Sequence, residues 1–339
     1  MNTDLASEAR GPAVEAGERA GVDASDGPVS SVRAVLLLAG ATRKLGLAEA
    51  LGRSPLDLPV TDDRRILDLW LERLMEVGLD LGIEGLSVRV LVNELVPTPV
   101  LRGPSRGLSL TVEQDRLELR GTAGLLRDAC SAYGDDAWVL VANAGQILVS
   151  SLIEPVRRLM GSRGEVRLLR HEDGTPASLF LIRCGALRSV ARQGYIDLKE
   201  QFLPRLGERS AVMTVDSPAI SVPVRTVSDY IEGLQAYHRE GPLSGLSEPY
   251  AEDWRSSFAV VEAGAEVDET ARLHDSVVLK GGRVGAGATL VRSVVCSAGH
   301  VGPRRTQRDA VVGGGRRSRL ATAGDSGLRG RGHGLRSDK

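Results

Sequence analysis

Two textures of apolar and polar residues succeed one another along the chain. From Val32 to about Gly245, unbroken apolar runs alternate with amphipathic stretches. The runs "VRAVLLLA" (32–39), "LSVRVLVN" (86–93) and "AWVLVAN" (137–143) read as strands covered on both faces, where no polar alternation is needed. Between them, "RRILDLWLERLMEVG" (64–78) and "TAGLLRDACSAYG" (122–134) place apolar residues at helical spacing and stop at a glycine; "SSLIEPVRRLM" (150–160) reads as a further helix. Strand–helix alternation predicts an α/β domain with a mainly parallel sheet. Ligands in such sheets bind at the carboxyl ends of the strands. Leu38–Arg43, Gly121–Gly124 and Asn143–Gln146, each read as a strand-to-helix turn, therefore mark the expected functional edge.

The second texture begins near residue 258. "LHDSVVLKGGRVG" (273–285) is followed 17 residues later by "LVRSVVCSAGHVG" (290–302), and "RDAVVGGG" (308–315) sets Val311 and Val312 another 17 beyond Val294 and Val295. A branched residue recurs about every six positions, at Val261, Val267, Leu273, Val284 and Leu290, with Gly and Ala between. That is the hexapeptide pattern of a short left-handed parallel β-helix, in which branched residues stack inward and small residues turn the corners. "VGPRRTQ" is too polar for its coil, so the last turn is expected to be ragged.

Outside these regions apolar periodicity is lost. Residues 1–31 form an acidic tail rich in Ala, Gly, Glu, Asp and Ser; residues 246–257 read as a linker; residues 316–339 are a Gly- and Arg-rich basic tail. Both tails bury too little apolar surface to offset ordering entropy and are expected to be disordered. The domains are thus expected at 32–245 and 258–315.

Composition narrows the function. With 43 basic against 44 acidic side chains, nothing points to bulk affinity for nucleic acid or acidic membranes. No apolar run approaches the roughly 20 residues that span a bilayer. Residues 1–31 lack an apolar segment behind a basic start, so no secretory signal is expected. Cys130, Cys184 and Cys296 are few and far apart, which fits a reducing cytoplasm. His171, His238 and His333 have no Cys or carboxylate at ligand spacing, so no zinc site is expected.

An early "VLLLAGATR", an internal "GTAG" and a hexapeptide β-helix behind an α/β domain together resemble the sugar-1-phosphate nucleotidyltransferases, the nucleotide-sugar pyrophosphorylases of the mannose-1-phosphate guanylyltransferase type. The likeness runs from about Val32 to Gly315. It is supported by "SPLDLPVTDDRRILDLWLERL" (54–74), "IDLKEQFLPRL" (196–206) and "PVRTVSDYIEGLQAYHRE" (223–240) with Tyr230. The resemblance implies a Rossmann-like nucleotidyltransferase domain. It also implies attack of a sugar 1-phosphate on a nucleoside triphosphate, with Mg²⁺ as cofactor and pyrophosphate leaving. Positioning and charge neutralisation dominate such chemistry.

By the same resemblance Ala39, Gly40 and Thr42 belong to a shortened phosphate loop. Arg43, with Lys44 beside it, is the candidate catalytic phosphate clamp. Gly121, Thr122, Ala123 and Gly124 form the base-reading turn, with a glycine where a side chain would fill the base's space. Asn143 joins them as a nucleotide-binding candidate.

The departures fall on charge. Where the family ends its third buried strand in Gly-Asp, the Asp binding Mg²⁺, this chain has Ala144 and Gly145; Asp216 and Asp229 flank the late metal position without matching it. Ser54 stands at the family's Lys, with Arg53 as a substitute. Glu172 is all that is kept of the sugar-phosphate motif. No metal ligand and no sugar-phosphate residue is assigned. Three readings follow: a divergent transferase; a catalytically inactive relative that binds a nucleotide or nucleotide-sugar as sensor or regulatory subunit; and a hexapeptide acyltransferase using His274 or His300. Open coils at the end of a β-helix further suggest a homo-oligomer.

Overall fold

The computed structural model describes residue 29 and residues 31–40, 46–103, 107–115, 120–207, 212–240 and 257–313. Thr42, Arg43, nearly all of the two expected tails, and the linker up to residue 256 lie outside the described residues.

The α/β region runs β1 (Ala34–Leu38), α1 (Gly46–Leu51), α2 (Ile66–Asp80), β2 (Leu86–Asn93), β3 (Leu108–Asp115), α3 (Gly121–Ala129), β4 (Trp138–Asn143), β5 (Gln146–Leu148), α4 (Ile153–Gly161), β6 (Val166–His171) and β7 (Pro176–Arg183). It ends with α5 (Leu203–Gly207), β8 (Val212–Ser217), β9 (Ser221–Pro223) and α6 (Val227–Glu240). Seven strands form one sheet in the order β3-β2-β1-β4-β7-β6-β8; β7 alone runs against its neighbours. The short strands β5 and β9 pair separately, antiparallel. Asn143–Gln146 thus links a strand to a strand, not to a helix as the sequence suggested.

Alternation within the central strands explains their unbroken apolar runs. Val35 and Leu37 of β1, with Leu140 and Ala142 of β4, face a layer that includes Trp70, Leu74 and Val156. Ala34 and Leu36, with Val139 and Val141, face the opposite layer of Ala123, Leu126 and Phe202. Either face left in water would forfeit about 2 kcal/mol per large side chain. The glycine signals fall differently from expectation: Gly78 is interior to α2, against Leu86, and the left-handed turn is made by Gly82 (φ +65°). Likewise α3 ends at Ala129, before Gly134.

Residues 258–313 form three short parallel sheets. Strands β10 (Ala259–Val261), β13 (Ser276–Val278), β16 (Val294–Val295) and β19 (Val311–Val312) make the first. The second holds β11 (Glu266–Val267), β14 (Arg283–Val284) and β17 (His300–Val301). The third holds β12 (Arg272–His274), β15 (Thr289–Val291) and β18 (Thr306–Arg308). Partners such as Val277 and Val294, or Leu273 and Leu290, differ by the 17 residues read from the sequence.

Branched residues at six-residue spacing meet inside the coils, where Val278, Val284, Leu290, Val295 and Val301 pack together. Ser276 and Ser293 tie coil to coil. Each hydroxyl donates to the carbonyl two residues back and accepts the amide 17 residues on, at Ser293 and Ala310 respectively. The last turn is not ragged. Gln307 takes the column of Leu273 and Leu290, half-buried at the end of the stack, where a polar group costs little, and Asp309 is held by Arg292 at 2.7 Å.

The coils and the sheet share one core. In the first sheet Val278 and Val295 point into the coil, while Val277, Val294 and Val311 join the core layer of β1, α2 and α6. That is why this side reads Val-Val in every turn. Polar contacts seal the junction. Arg53 donates to both Glu262 oxygens at 3.0 Å, Asp62 accepts the Val261 amide, and Gln235 donates to Asp275. His238 stacks on Phe258 with ring centroids 5.2 Å apart while its Nε2 meets the Val60 carbonyl at 3.0 Å.

Candidate functional site

Strand order turns back beside β1: β2 and β3 follow on one side, and β4 returns on the other. In open α/β sheets ligands bind at such a switch point, here outside the carboxyl ends of β1 and β4. Ala39, Gly40 and Asn143 are brought together there. The Ala39 amide donates to Leu91 at 2.8 Å, and the Ala144 amide donates to Leu38 at 2.9 Å, so both loops leave their strands in register. Gly40 is exposed; a Cβ on it would stand 3.1 Å from the Asn93 side chain.

Asn93 closes β2, Asp115 closes β3, and the two are register partners. Arg120, just before α3, pairs with Asp115 and with Asp128. Sequence reading passed over Asn93, Asp115 and Arg120. Asn93 and Arg120 had a positional signal, a polar residue closing a predicted strand and one just before the predicted helix; Asp115 had none, since β3 was not predicted.

The "GTAG" segment is the first turn of α3, as its position at this edge requires, but its glycines serve the protein's own packing. Gly121 has φ +68°, and a Cβ there would lie 2.6 Å from the Ile196 carbonyl carbon and 2.9 Å from its nitrogen. Two backbone bonds fasten the segments: the Ile196 amide to Arg120 (3.0 Å) and the Ala123 amide to Ile196 (3.2 Å). A Cβ on Gly124 would meet the Arg120 Cβ at 2.9 Å. Ala123 is fully buried and Thr122 half-buried. The space expected to admit a base beside Gly121 is filled by Ile196, so the rationale for that glycine is corrected.

The charges are committed elsewhere. Ser54 is buried and caps the turn Pro55–Asp57 through the Leu56 amide at 3.3 Å. Arg53, the alternative phosphate cation, is taken by Glu262. Asp216 pairs with Arg170 at 2.7 Å. Asp229 accepts the amides of Arg225 (3.0 Å) and Thr226 (3.1 Å), closing the start of α6. At the end of β4 the Asn143 Oδ1 accepts the Gly145 amide at 3.0 Å. Among the described residues, no group of three His, Cys, Asp or Glu side chains could hold a metal ion. Mg²⁺ asks for hard oxygen donors, usually one or two carboxylates. An amide oxygen beside Ala144 and Gly145 does not meet that demand.

The remaining candidates separate. His274 and His300 are both exposed and lie in different sheets of the coil, on β12 and β17. Glu172 sits exposed in the turn between β6 and β7. Tyr230 is fully buried and donates its hydroxyl to the Pro59 carbonyl; burial raises its pKa well above the ordinary value. All three cysteines are buried free thiols. Contact with Cys184 and burial raise the Cys130 thiol far above its usual range, and burial pushes Cys296 up to about 11. Such thiols pack rather than react.

No family model matches the chain, and no curated protein does. Among solved structures, it resembles a putative glucose-1-phosphate thymidylyltransferase from Bacillus anthracis at 10% identity and a TM-score of 0.46, over 60% of this chain and 94% of that one. It resembles HddC from Yersinia pseudotuberculosis at 12% identity and a TM-score of 0.42, over 61% and 100% of the two chains. A homologue of Mycobacterium tuberculosis rv0371c from mycobacterium sp. strain JC1 aligns at 18% identity and a TM-score of 0.42, over 62% and 98%.

Proposed function

We propose that this protein is a divergent, sugar-1-phosphate nucleotidyltransferase-like protein. It holds a nucleotide or nucleotide-sugar at the carboxyl edge of β1 and β4, as a binding or regulatory subunit without metal-dependent transfer. The observation that carries the reading is the end of β4. There Asn143 is exposed with its side-chain oxygen engaged by the Gly145 amide, and Ala144 is buried in the core, where transfer to a triphosphate calls for a carboxylate. Gly40 and Gly145 have no side chain, and Ala39 and Ala144 pack against the core, so backbone is left at this edge, which suits recognition of a flat base or a sugar.

Six-residue spacing of inward Val and Leu supports a left-handed hexapeptide architecture for the coils. The free thiols support a reducing, cytoplasmic setting.

Isothermal titration of the protein with nucleoside triphosphates and nucleotide-sugars, with and without Mg²⁺, tests the assignment. Binding indifferent to Mg²⁺ is expected. Binding that tightens tenfold or more with Mg²⁺, together with pyrophosphate release on adding sugar 1-phosphate, would restore the active transferase, with Arg43 as its clamp. No binding at all would refute the site.

A further inference from the structure

The open end of the coil carries three exposed arginines. Strands β17, β18 and β19 each stand last in their sheet, so their outer edges have no neighbour among the described residues. Exposed Arg304, Arg305 and Arg308, with exposed His300, lie in this last turn. None of the three guanidinium groups has an ion-pair or hydrogen-bonded carboxylate among the described residues. The one acid of the turn, Asp309, is engaged bidentately by Arg292 at 2.7 and 2.8 Å. An edge without a strand neighbour among the described residues, rimmed by three exposed arginines, is a seat for an extended acidic segment.

Two occupants are disfavoured by charge. A second copy stacked end to end would bring two such arginine clusters together. The segment that continues from the last turn, 314–339, holds six Arg and one Lys against two Asp. The opposite end of the chain has the complementary sign: residues 1–28 hold six acids, Asp4, Glu8, Glu15, Glu18, Asp23 and Asp26, against Arg10 and Arg19. This segment departs from Val29, whose amide is fixed to the Met160 carbonyl at 2.9 Å. Its 28 residues have a root-mean-square reach of about 30 Å as flexible chain and about 90 Å extended.

We propose that the acidic segment 1–28 of this chain lies across the last coil, seated on Arg304, Arg305 and Arg308, and caps its open edge. This is independent of any nucleotide at the sheet edge.

The test is hydrogen–deuterium exchange of residues 299–312 in the full chain. Wild type is compared with a tail-neutralised variant (D4N, E8Q, E15Q, E18Q, D23N, D26N) and with R304E/R305E/R308E. In both variants, and in wild type at 0.5 M NaCl, these amides are expected to exchange about tenfold faster, since screening at that ionic strength acts over only a few ångströms. Exchange in β1 and α3 stays unchanged and controls for folding. A synthetic peptide of residues 1–28 added to the tail-neutralised chain restores the protection. Equal exchange in all forms would overturn the proposal. Protection of the wild-type end only on adding heparin would overturn it in favour of an external polyanion. Protection that appears only with dimer mass in light scattering and ignores tail neutralisation would overturn it in favour of a second copy.

Discussion

Replacing Gly121 by Ala separates a glycine kept for a ligand from a glycine kept for the fold. At φ +68° an L-residue costs about 1–2 kcal/mol. The new methyl would also stand within 2.6 Å of the Ile196 carbonyl carbon, backbone that is itself tied to Arg120 and Ala123. Relief requires the 196 segment to move and strains or breaks one of those two hydrogen bonds, each worth about 1 kcal/mol. The sum is about 3 kcal/mol. At about 2–4 °C per kcal/mol for bodies of 150–250 residues, the melting temperature should fall by about 6–12 °C. Calorimetry or urea unfolding reads the loss, and nucleotide titration of the folded variant reads the site. A variant of wild-type stability that no longer binds nucleotide would refute the reasoning, and would return Gly121 to the base.

Further outcomes follow from other contacts. Arg167, fully buried, donates to the carbonyls of Leu159 (3.0 Å), Met160 (2.8 Å) and Gly164 (2.9 Å) and lies 4.4 Å from the centre of the Trp138 ring. Leu159 and Met160 keep second donors in Ser162 and Val29, so Arg167→Met should cost about 3 kcal/mol in urea unfolding, for one orphaned carbonyl and the lost ring contact. Glu262→Ala should cost about 2 kcal/mol, since it strands Arg53 and the Lys280 amide, and a double mutant with Arg53→Ala should recover part of it. Ser293→Ala should cost about 1–2 kcal/mol and speed exchange of the Ala310 amide. Burial holds the His238 pKa below its ordinary 6.5. The unfolded chain therefore binds the extra proton first, and stability should fall as pH drops below 6.5, levelling once the folded form is also protonated. In His238→Gln that component of the slope should vanish; an identical pH profile would exclude His238 as its source.

What the sequence disclosed was periodicity; what it withheld was partnership. Runs such as Ala34–Leu38 and Trp138–Asn143 were legible because burial on both faces removes every polar position. β3 was passed over, although Leu108, Leu110 and Val112 alternate with Ser109 and Thr111 as a half-exposed edge strand should. No local pattern carries strand direction, so the reversed β7 was out of reach. In the coils the six-residue recurrence Val261, Val267, Leu273, one residue on each of three successive sides, could be read from spacing. The outward valines could not be assigned, because their meaning lies in α2 and α6. Position alone set Ala39, Gly40 and Asn143 at the ends of β1 and β4, yet "GTAG" could not reveal that Ile196 fills the space beside it. The expected cation at Arg53 could not disclose Glu262, 209 residues away.

The shared core also sets a timetable. Val277, Val294 and Val311 complete the layer begun by Val35, Leu47 and Leu58, so the segments made first wait for the segment made last. At about 5–20 residues per second, the 249 residues between Asp62 and Val311 take about 12–50 s to synthesise. Through that interval the early layer has no complete cover. A chain that stalls before its final coil leaves this apolar strip open to other chains until its last turn is made.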